Sequence, residues 1–212
     1  IVADLDSVGV KEIYFGSDNE ALHGYNSFGE EIDGFPFQST DRVRSSPAVG
    51  DVDNDGQMEI VFGNSSGKLY IVNHDGSQQL AYTILGFIEG TPALVDMDGD
   101  QDLEIVFTTT TTSGGQLYAI HHNGITMSGF PKELGSMWTG PAVHDIDNDG
   151  VYDIVCTTYD KEIYAIDVNG GVIKSGFPVT LEGRLDISPT VVDIDSDGDY
   201  EIAVGSNDGE LY

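Results

Sequence analysis

One acidic string returns five times in this 212-residue chain, at a spacing that only a repeat architecture can accommodate. The copies begin at Asp4, Asp51, Asp96, Asp145 and Asp193, stepping by 47, 45, 49 and 48 residues. Every copy places another acid eight residues after its first aspartate: Glu12, Glu59, Glu104, Asp153 and Glu201. A period of about 20 to 50 residues marks a supersecondary unit that buries its apolar faces against copies of itself.

The flanks recur in the same order. After each loop comes an apolar run of β type: Ile13-Tyr14-Phe15, Ile60-Val61-Phe62, Ile105-Val106-Phe107, Ile154-Val155-Cys156 and Ile202-Ala203-Val204. A second run follows at Leu69-Tyr70, Leu117-Tyr118, Ile163-Tyr164 and Leu211-Tyr212, with a weaker form at Leu22-His23. Asx-Gly pairs at Asp75-Gly76, Asn123-Gly124 and Asn169-Gly170 suit the positive φ of a tight hairpin. A last element ends in Gly-Phe, at Gly34-Phe35, Gly86-Phe87, Gly129-Phe130 and Gly176-Phe177. All seven prolines fall at two repeat positions: Pro36, Pro131 and Pro178 follow Gly-Phe, and Pro47, Pro92, Pro141 and Pro189 stand four residues before an acidic loop. Proline opens strands but cannot sit inside a ladder, so these residues punctuate strands.

The runs between turns are of strand length, and none shows a helical apolar period. Each period therefore reads as four antiparallel strands. The fold expected is all-β, a β-propeller of four-stranded blades forming a single domain over residues 1–212, with blade repeats starting near residues 1, 46, 91, 140 and 188. About four and a half blades are present, which reads as a portion of a six- to eight-bladed ring, with a closed five-bladed ring as the alternative. The start at Ile1, without an initiator methionine, also reads as a portion of something longer. Cys156, the one cysteine, lies in an apolar run and is expected to be buried packing.

Three aspartates at alternate positions, a turn glycine at the sixth and an acid at the ninth can wrap their oxygens around one hard cation. Calcium accepts about six to eight oxygen ligands in flexible geometry and suits such a loop better than magnesium or zinc. The second loop offers Asp51, Asp53, Asp55 and Glu59, with the carbonyl of Gln57. Its counterparts are Asp96, Asp98, Asp100, Asp102 and Glu104 in the third, and Asp145, Asp147, Asp149, Asp153 and the Val151 carbonyl in the fourth. The fifth offers Asp193, Asp195, Asp197, Asp199 and Glu201. The first keeps Asp4, Asp6 and Glu12 but has Val8 in place of the third aspartate, so weaker binding is expected; the third has Gln101 where the glycine should be, straining the turn. An EF-hand is excluded because position 12 is Phe62, Phe107, Cys156 or Val204 and a strand follows. Three to four calcium ions are expected, with a weak fifth site.

Metal chemistry also accounts for the charge balance. Eight basic residues stand against 37 acidic ones, a net of −29, and 21 of those acids lie in the five loops. Such a surface excludes nucleic acid as a partner, and no apolar stretch is long enough for membrane insertion.

Loop, strand and Gly-Phe-Pro elements recurring in this order resemble the FG-GAP/VCBS repeat family of integrin α-subunit propellers and secreted bacterial surface proteins. The resemblance implies that the loop Asp51 to Glu59 joins the first two strands of a blade and holds calcium, and that the protein works outside the cytoplasm. Glu59, Glu104 and Glu201 depart from the more usual ninth-position aspartate. The expected function is that of a calcium-stabilised recognition, adhesion or scaffold propeller, extracellular or at the cell surface, or periplasmic. Its partners would be a protein or carbohydrate ligand and the rest of the propeller or a neighbouring chain. The alternative is the accessory propeller of a secreted protease or polysaccharide lyase whose catalytic residues lie elsewhere. Among His23, His74, His121, His122 and His144 no catalytic order appears, so the chain itself is read as non-enzymatic. His23 takes a repeat position held elsewhere by tyrosine and is expected to be structural; His74, His121 and His122 are expected to face solvent. Ligand contact is assigned to Arg42, Arg44, Trp138 and Arg184, in loops between blades, and the run 108–112 is expected to be a flexible connector.

Overall fold

The computed structural model describes residues 1–6 and 8–212; Ser7, in the first acidic loop, lies outside them. Among the described residues all regular structure is β, arranged as five blades in chain order. The first blade comprises Val2–Ala3, Glu12–Ser17, Ala21–Tyr25 and Phe37–Gln38, and the second Ala48–Gly50, Glu59–Gly63, Lys68–Asn73 and Gln78–Thr83. The third comprises Ala93–Val95, Glu104–Thr108, Gly115–Ile120 and Lys132–Leu134. In the fourth, Ala142–His144, Asp153–Thr157 and Glu162–Asp167 are completed by Val172–Ile173 and Val179–Thr180, which both pair with Glu162–Asp167. The fifth pairs Thr190–Val192 with Glu201–Ala203, and Gly205 bridges Leu211. Every pairing between these strands is antiparallel and stays within one blade; apolar cores join each blade to the next, but among the described residues none joins the fifth to the first, so the arc is open.

Period-2 alternation explains how the blades stack. In the second strand of each interior blade all five residues are buried, because the strand has a neighbour on both faces. Ile60 and Phe62 pack toward the first blade with Leu5, Tyr14 and Leu22, whereas Val61 packs toward the third with Ile105 and Phe107. Val106 then faces the fourth blade with Ile154 and Cys156, and Val155 faces the fifth with Leu185 and Val204. Ile13 and Phe15, at the same repeat positions in the first blade, are 50% and 42% exposed, since no described blade covers that face. The tyrosine position stacks on the phenylalanine of the second strand, as in Phe62–Tyr70 at 5.3 Å and Phe107–Tyr118 at 5.0 Å between ring centroids. His23 stacks on Phe15 in the same way, at 5.4 Å, so its structural role is as expected. Cys156 is buried among apolar neighbours, and desolvation pushes its thiol up to about 12.

Two expectations are corrected. Gly86-Phe87 is not a copy of the other Gly-Phe elements. In the first, third and fourth blades the outer strand is broken by Gly-Phe followed by a cis proline, with Phe35 and Phe130 buried. The second blade lacks that proline and runs Gln78–Thr83 without a break; its Gly86-Phe87 lies beyond the strand, with Phe87 40% exposed and hydrogen-bonded to Thr110. The run 108–112 is likewise no loose connector. Thr108, Thr109 and Thr110 are buried, the Thr108 hydroxyl donates to the Thr139 carbonyl at 2.6 Å, and Thr110 exchanges backbone hydrogen bonds with Phe87. Buried backbone needs partners, and this segment finds them in the neighbouring inter-blade loops.

Because Phe107 is fully buried and stacked, Phe107→Ala should cost about 3–5 kcal/mol in urea denaturation, while Phe15→Ala at the equivalent half-exposed position should cost about 1 kcal/mol or less.

Candidate metal centres

In all five blades the acidic loop joins the innermost strand to the second one. Its first aspartate ends the inner strand and turns its carboxylate onto the loop backbone. Asp51 accepts from the Asp55 and Gly56 amides, both at 3.0 Å, and Asp145 accepts from Asp149 and Gly150 at 3.0 and 2.9 Å. Asp193, Asp96 and Asp4 do the same for Gly198, Gln101 and Gly9 at 3.0, 3.2 and 2.9 Å. The sixth position is left-handed, which glycine meets without strain at Gly9, Gly56, Gly150 and Gly198. Gln101 is forced to φ 83° there, the strain anticipated for the third loop.

The ninth-position acid opens the second strand and is buried: Glu59 is 2% exposed, and Glu104 and Asp153 are 0%. One carboxylate oxygen reaches back to the amide of the loop's second residue. This bond recurs as Leu5 to Glu12 at 3.1 Å, Val52 to Glu59 at 2.9 Å, Met97 to Glu104 at 2.7 Å, Ile146 to Asp153 at 3.3 Å and Ile194 to Glu201 at 2.9 Å. The other oxygen faces the loop aspartates. Carboxylate oxygens of Asp51, Asp53 and Glu59 come within 4.8 Å of one another, as do those of Asp96, Asp98 and Asp100, and of Asp100, Asp102 and Glu104. Asp4, Asp6 and Glu12 converge equally, so the Val8 substitution leaves the first cluster assembled with one acid fewer.

Such clusters carry an unbalanced charge. Two carboxylates about 4 Å apart repel by about 1 kcal/mol even at water's dielectric. Among the described residues no basic side chain pairs with Asp51, Asp53, Asp55 or Glu59. Burial, reinforced by those aspartates, pushes Glu59 up to about 7; burial raises Glu104 to about 7 as well, with Asp98 adding to it. Asp4 Oδ1, Asp53 Oδ1 and Asp102 Oδ1 are buried without a hydrogen-bond partner. An all-oxygen donor set, partly orphaned and uncompensated, fits calcium.

The structure adds residues that the loop motif did not contain. Four antiparallel strands in sequence order bring the hairpin between the third and outer strands to the same end of the blade as the acidic loop. Gln79 therefore donates to Asp53 at 2.8 Å, and a cleft beside the second loop is lined by Asp53, Glu59, Asn73, His74 and Gln79. His121 Nδ1 lies 3.0 Å from Glu104 and forms a cluster with Asp98 and Glu104, while His122 lies 2.6 Å from Asp102. These histidines were expected in solvent; they are half-buried against the third loop. In the fourth blade the Lys174 ammonium meets Asp147, Asp149 and Asp153. Burial alone would lower the Lys174 pKa, but hydrogen bonds to Asp147 and Asp153 outweigh it and the net direction is upward. Asp153 is raised by burial, with Lys174 opposing. Strand-end residues Asn26, Asn73, His121 and Asp167 share one repeat position, a signal from which His121, though not Gln79 or Lys174, could have been read.

The residues assigned to ligand contact sit at the opposite blade ends, each engaged locally. Arg44 pairs with Asp18 at 2.8 Å and approaches Glu89 at 3.9 Å; Arg184 pairs with Asp186 at 2.7 Å and lies over the Tyr159 ring at 4.2 Å. Trp138 is 43% exposed and stacks on Phe87 at 6.5 Å, and Arg42 is exposed with its carbonyl holding the Ser65 amide.

The family model described as FG-GAP-like repeat matches residues 51–107 and 96–156, together half of the chain. No curated protein matches. Among solved structures the chain is similar to BBS1N in complex with ARL6DN, with a TM-score of 0.67 and 13% identity over 100% of this chain and 66% of that one. The Pseudomonas aeruginosa PilY1 C-terminal domain gives 0.72 and 16% over 94% and 53%, and the V. cholerae biofilm matrix protein Bap1 gives 0.68 and 19% over 95% and 33%. The chain thus spans from a third to just under two thirds of the length of these proteins. At these identities the likeness is one of fold.

Raised carboxylates give the metal-free chain a defined pH dependence. Glu59 and Glu104 hold protons in the folded state between their ordinary 4.5 and about 7, where the unfolded chain has released them. Their contribution is present below pH about 4.5 and lost as pH rises through about 7. In chelator, the melting temperature should fall from pH 5 to pH 7.5; a flat or rising profile would contradict the assignment.

Proposed function

Because this chain belongs to the FG-GAP-like repeat family, we propose that it is a calcium-stabilised, non-catalytic recognition or scaffold propeller working outside the cell. The observation that carries this reading is the buried ninth-position carboxylate at the root of each of the first three blades, facing loop aspartates, which in the second blade have no counter-charge. Calcium would be held by the loop acids and would remove their mutual repulsion, fixing the turn between the two inner strands. Extracellular modules bind calcium at roughly 0.1–1 mM, which matches such exposed loops and supports an extracytoplasmic setting. The description of Bap1 as a biofilm matrix protein supports the same setting, and the complex of BBS1N with ARL6DN supports a protein as the partner. Recognition is assigned to the ends of the blades away from the metal, where Arg42, Arg44, Trp138 and Arg184 lie.

Isothermal titration of the chelator-stripped protein should count three to four calcium ions per chain, and Glu59→Gln should remove one. At ten times its Kd each site should add about 1.4 kcal/mol of stability, seen as a higher melting temperature. An unchanged melting curve with no calcium bound would falsify the proposal. Pull-down and glycan-array binding that survives Arg44→Ala, Trp138→Ala and Arg184→Ala together would move the recognition surface elsewhere.

A further inference from the structure

The fourth acidic loop differs from the others in what stands at its centre. Lys174 Nζ lies 2.7 Å from Asp147 Oδ2, 3.1 Å from Asp153 Oδ1 and 3.5 Å from Asp149 Oδ2. Those are three of the four side chains that the loop offers to a cation. The lysine side chain is 15% exposed and Asp153 is fully buried, so that contact is not a solvated surface pair, while Asp147 and Asp149, 48% and 46% exposed, close over it from the solvent side.

Its repeat position makes the contact informative. The Lys174 amide donates to the Ala165 carbonyl as Ile32 donates to Gly24 and Met127 to Ala119, so the three residues are equivalent in the first, third and fourth blades. Ile32 and Met127 pack as apolar side chains against the cores between blades. Only the fourth of these blades exchanges that apolar group for a positive charge, and the charge goes to the acidic loop. The second blade sends in the neutral amide of Gln79, which bonds to Asp53 alone and leaves the charge of Glu59 unmet.

Resting on the calcium reading of the other loops, we propose that Lys174 is a built-in counter-ion which fills the cation position of the fourth loop, so that this blade closes without a divalent metal. An ammonium tethered on the same blade competes at an effective concentration of about millimolar or above, the range in which extracellular calcium acts. A calcium ion entering the loop must displace three carboxylate contacts and expel a half-buried lysine, which lowers its apparent affinity by the fraction of time the lysine is out. The loop keeps its aspartates because the ammonium needs them.

The test compares calcium stoichiometry, by isothermal titration and by equilibrium dialysis with calcium alone, in the chelator-stripped parent, in Lys174→Met and in Asp147→Asn. Methionine is the residue that the third blade carries at this position, so the variant should fold. Lys174→Met should bind one calcium more than the parent, and Asp147→Asn in the parent background should lose none. Equal numbers in the parent and Lys174→Met, or one ion lost from Asp147→Asn, would overturn the counter-ion role while leaving calcium in the other loops intact. Should Lys174→Met fail to fold, the Asp147→Asn count alone decides. No calcium on the parent or on either variant would remove both readings together.

Discussion

A single carboxylate at the root of each blade, buried in the first four, is what the remaining structure depends on. Glu12, Glu59, Glu104, Asp153 and Glu201 each accept the amide of the loop's second residue, closing the turn between the innermost strand and the strand beside it. That bond positions the loop aspartates over the carboxylate's second oxygen. The strand that it opens continues with Ile60 and Phe62 facing one neighbouring blade and Val61 facing the other. A carboxylate is an odd choice for such a place, since an apolar environment disfavours its charge. The choice becomes intelligible once a cation is part of the turn.

Most of this was legible in the sequence, and the reason is periodic. Five copies of one string, in register with apolar runs and prolines, make a chance reading untenable, and each copy carries its own strand boundaries. The stack of Phe15 on His23 could be anticipated because Tyr70, Tyr118 and Tyr164 hold the same place in other blades. What escaped was whatever broke the period. Gly86-Phe87 imitates a repeat element in composition, but it stands six and five residues before Pro92, whereas Gly34-Phe35 stands thirteen and twelve before Pro47. The run 108–112 looked like a polar linker because hydroxyls were counted as surface groups; in the fold the Thr108 hydroxyl bonds to the Thr139 carbonyl of an adjacent loop, and those of Thr109 and Thr111 bond to the Gln116 and Gly114 carbonyls.

The second row of site residues was hidden for another reason. Gln79, His121 and Lys174 lie two strands from the acidic loops they touch, and only the antiparallel meander brings them there. Nothing in local spacing ties Lys174 to Asp147. The three blades thus answer the same electrostatic demand with an amide, an imidazole and an ammonium. Repeats that look alike by their aspartates are therefore different chemical environments, graded by positions outside the motif.

The alternation along the second strands has a further consequence for assembly. Each interior blade presents two different faces: one carries the isoleucine of its second strand, such as Ile105 with Phe107, and the other the valine between them with apolar residues of the third strand, such as Val106 with Leu117 and Ala119. The isoleucine face of one blade always meets the valine face of the blade before it, Tyr14 taking the valine's place in the first, so the contact between blades is head-to-tail and heterologous, the kind that propagates instead of saturating after two copies. Only the rotation from one blade to the next decides whether such an array curls back on itself. A one-residue deletion in a second strand would turn the residues beyond it to the opposite face while the other strands of the blade kept theirs, sending side chains of one inter-blade core into the other. The blades can vary in what they hold at their loops, but not in their polarity.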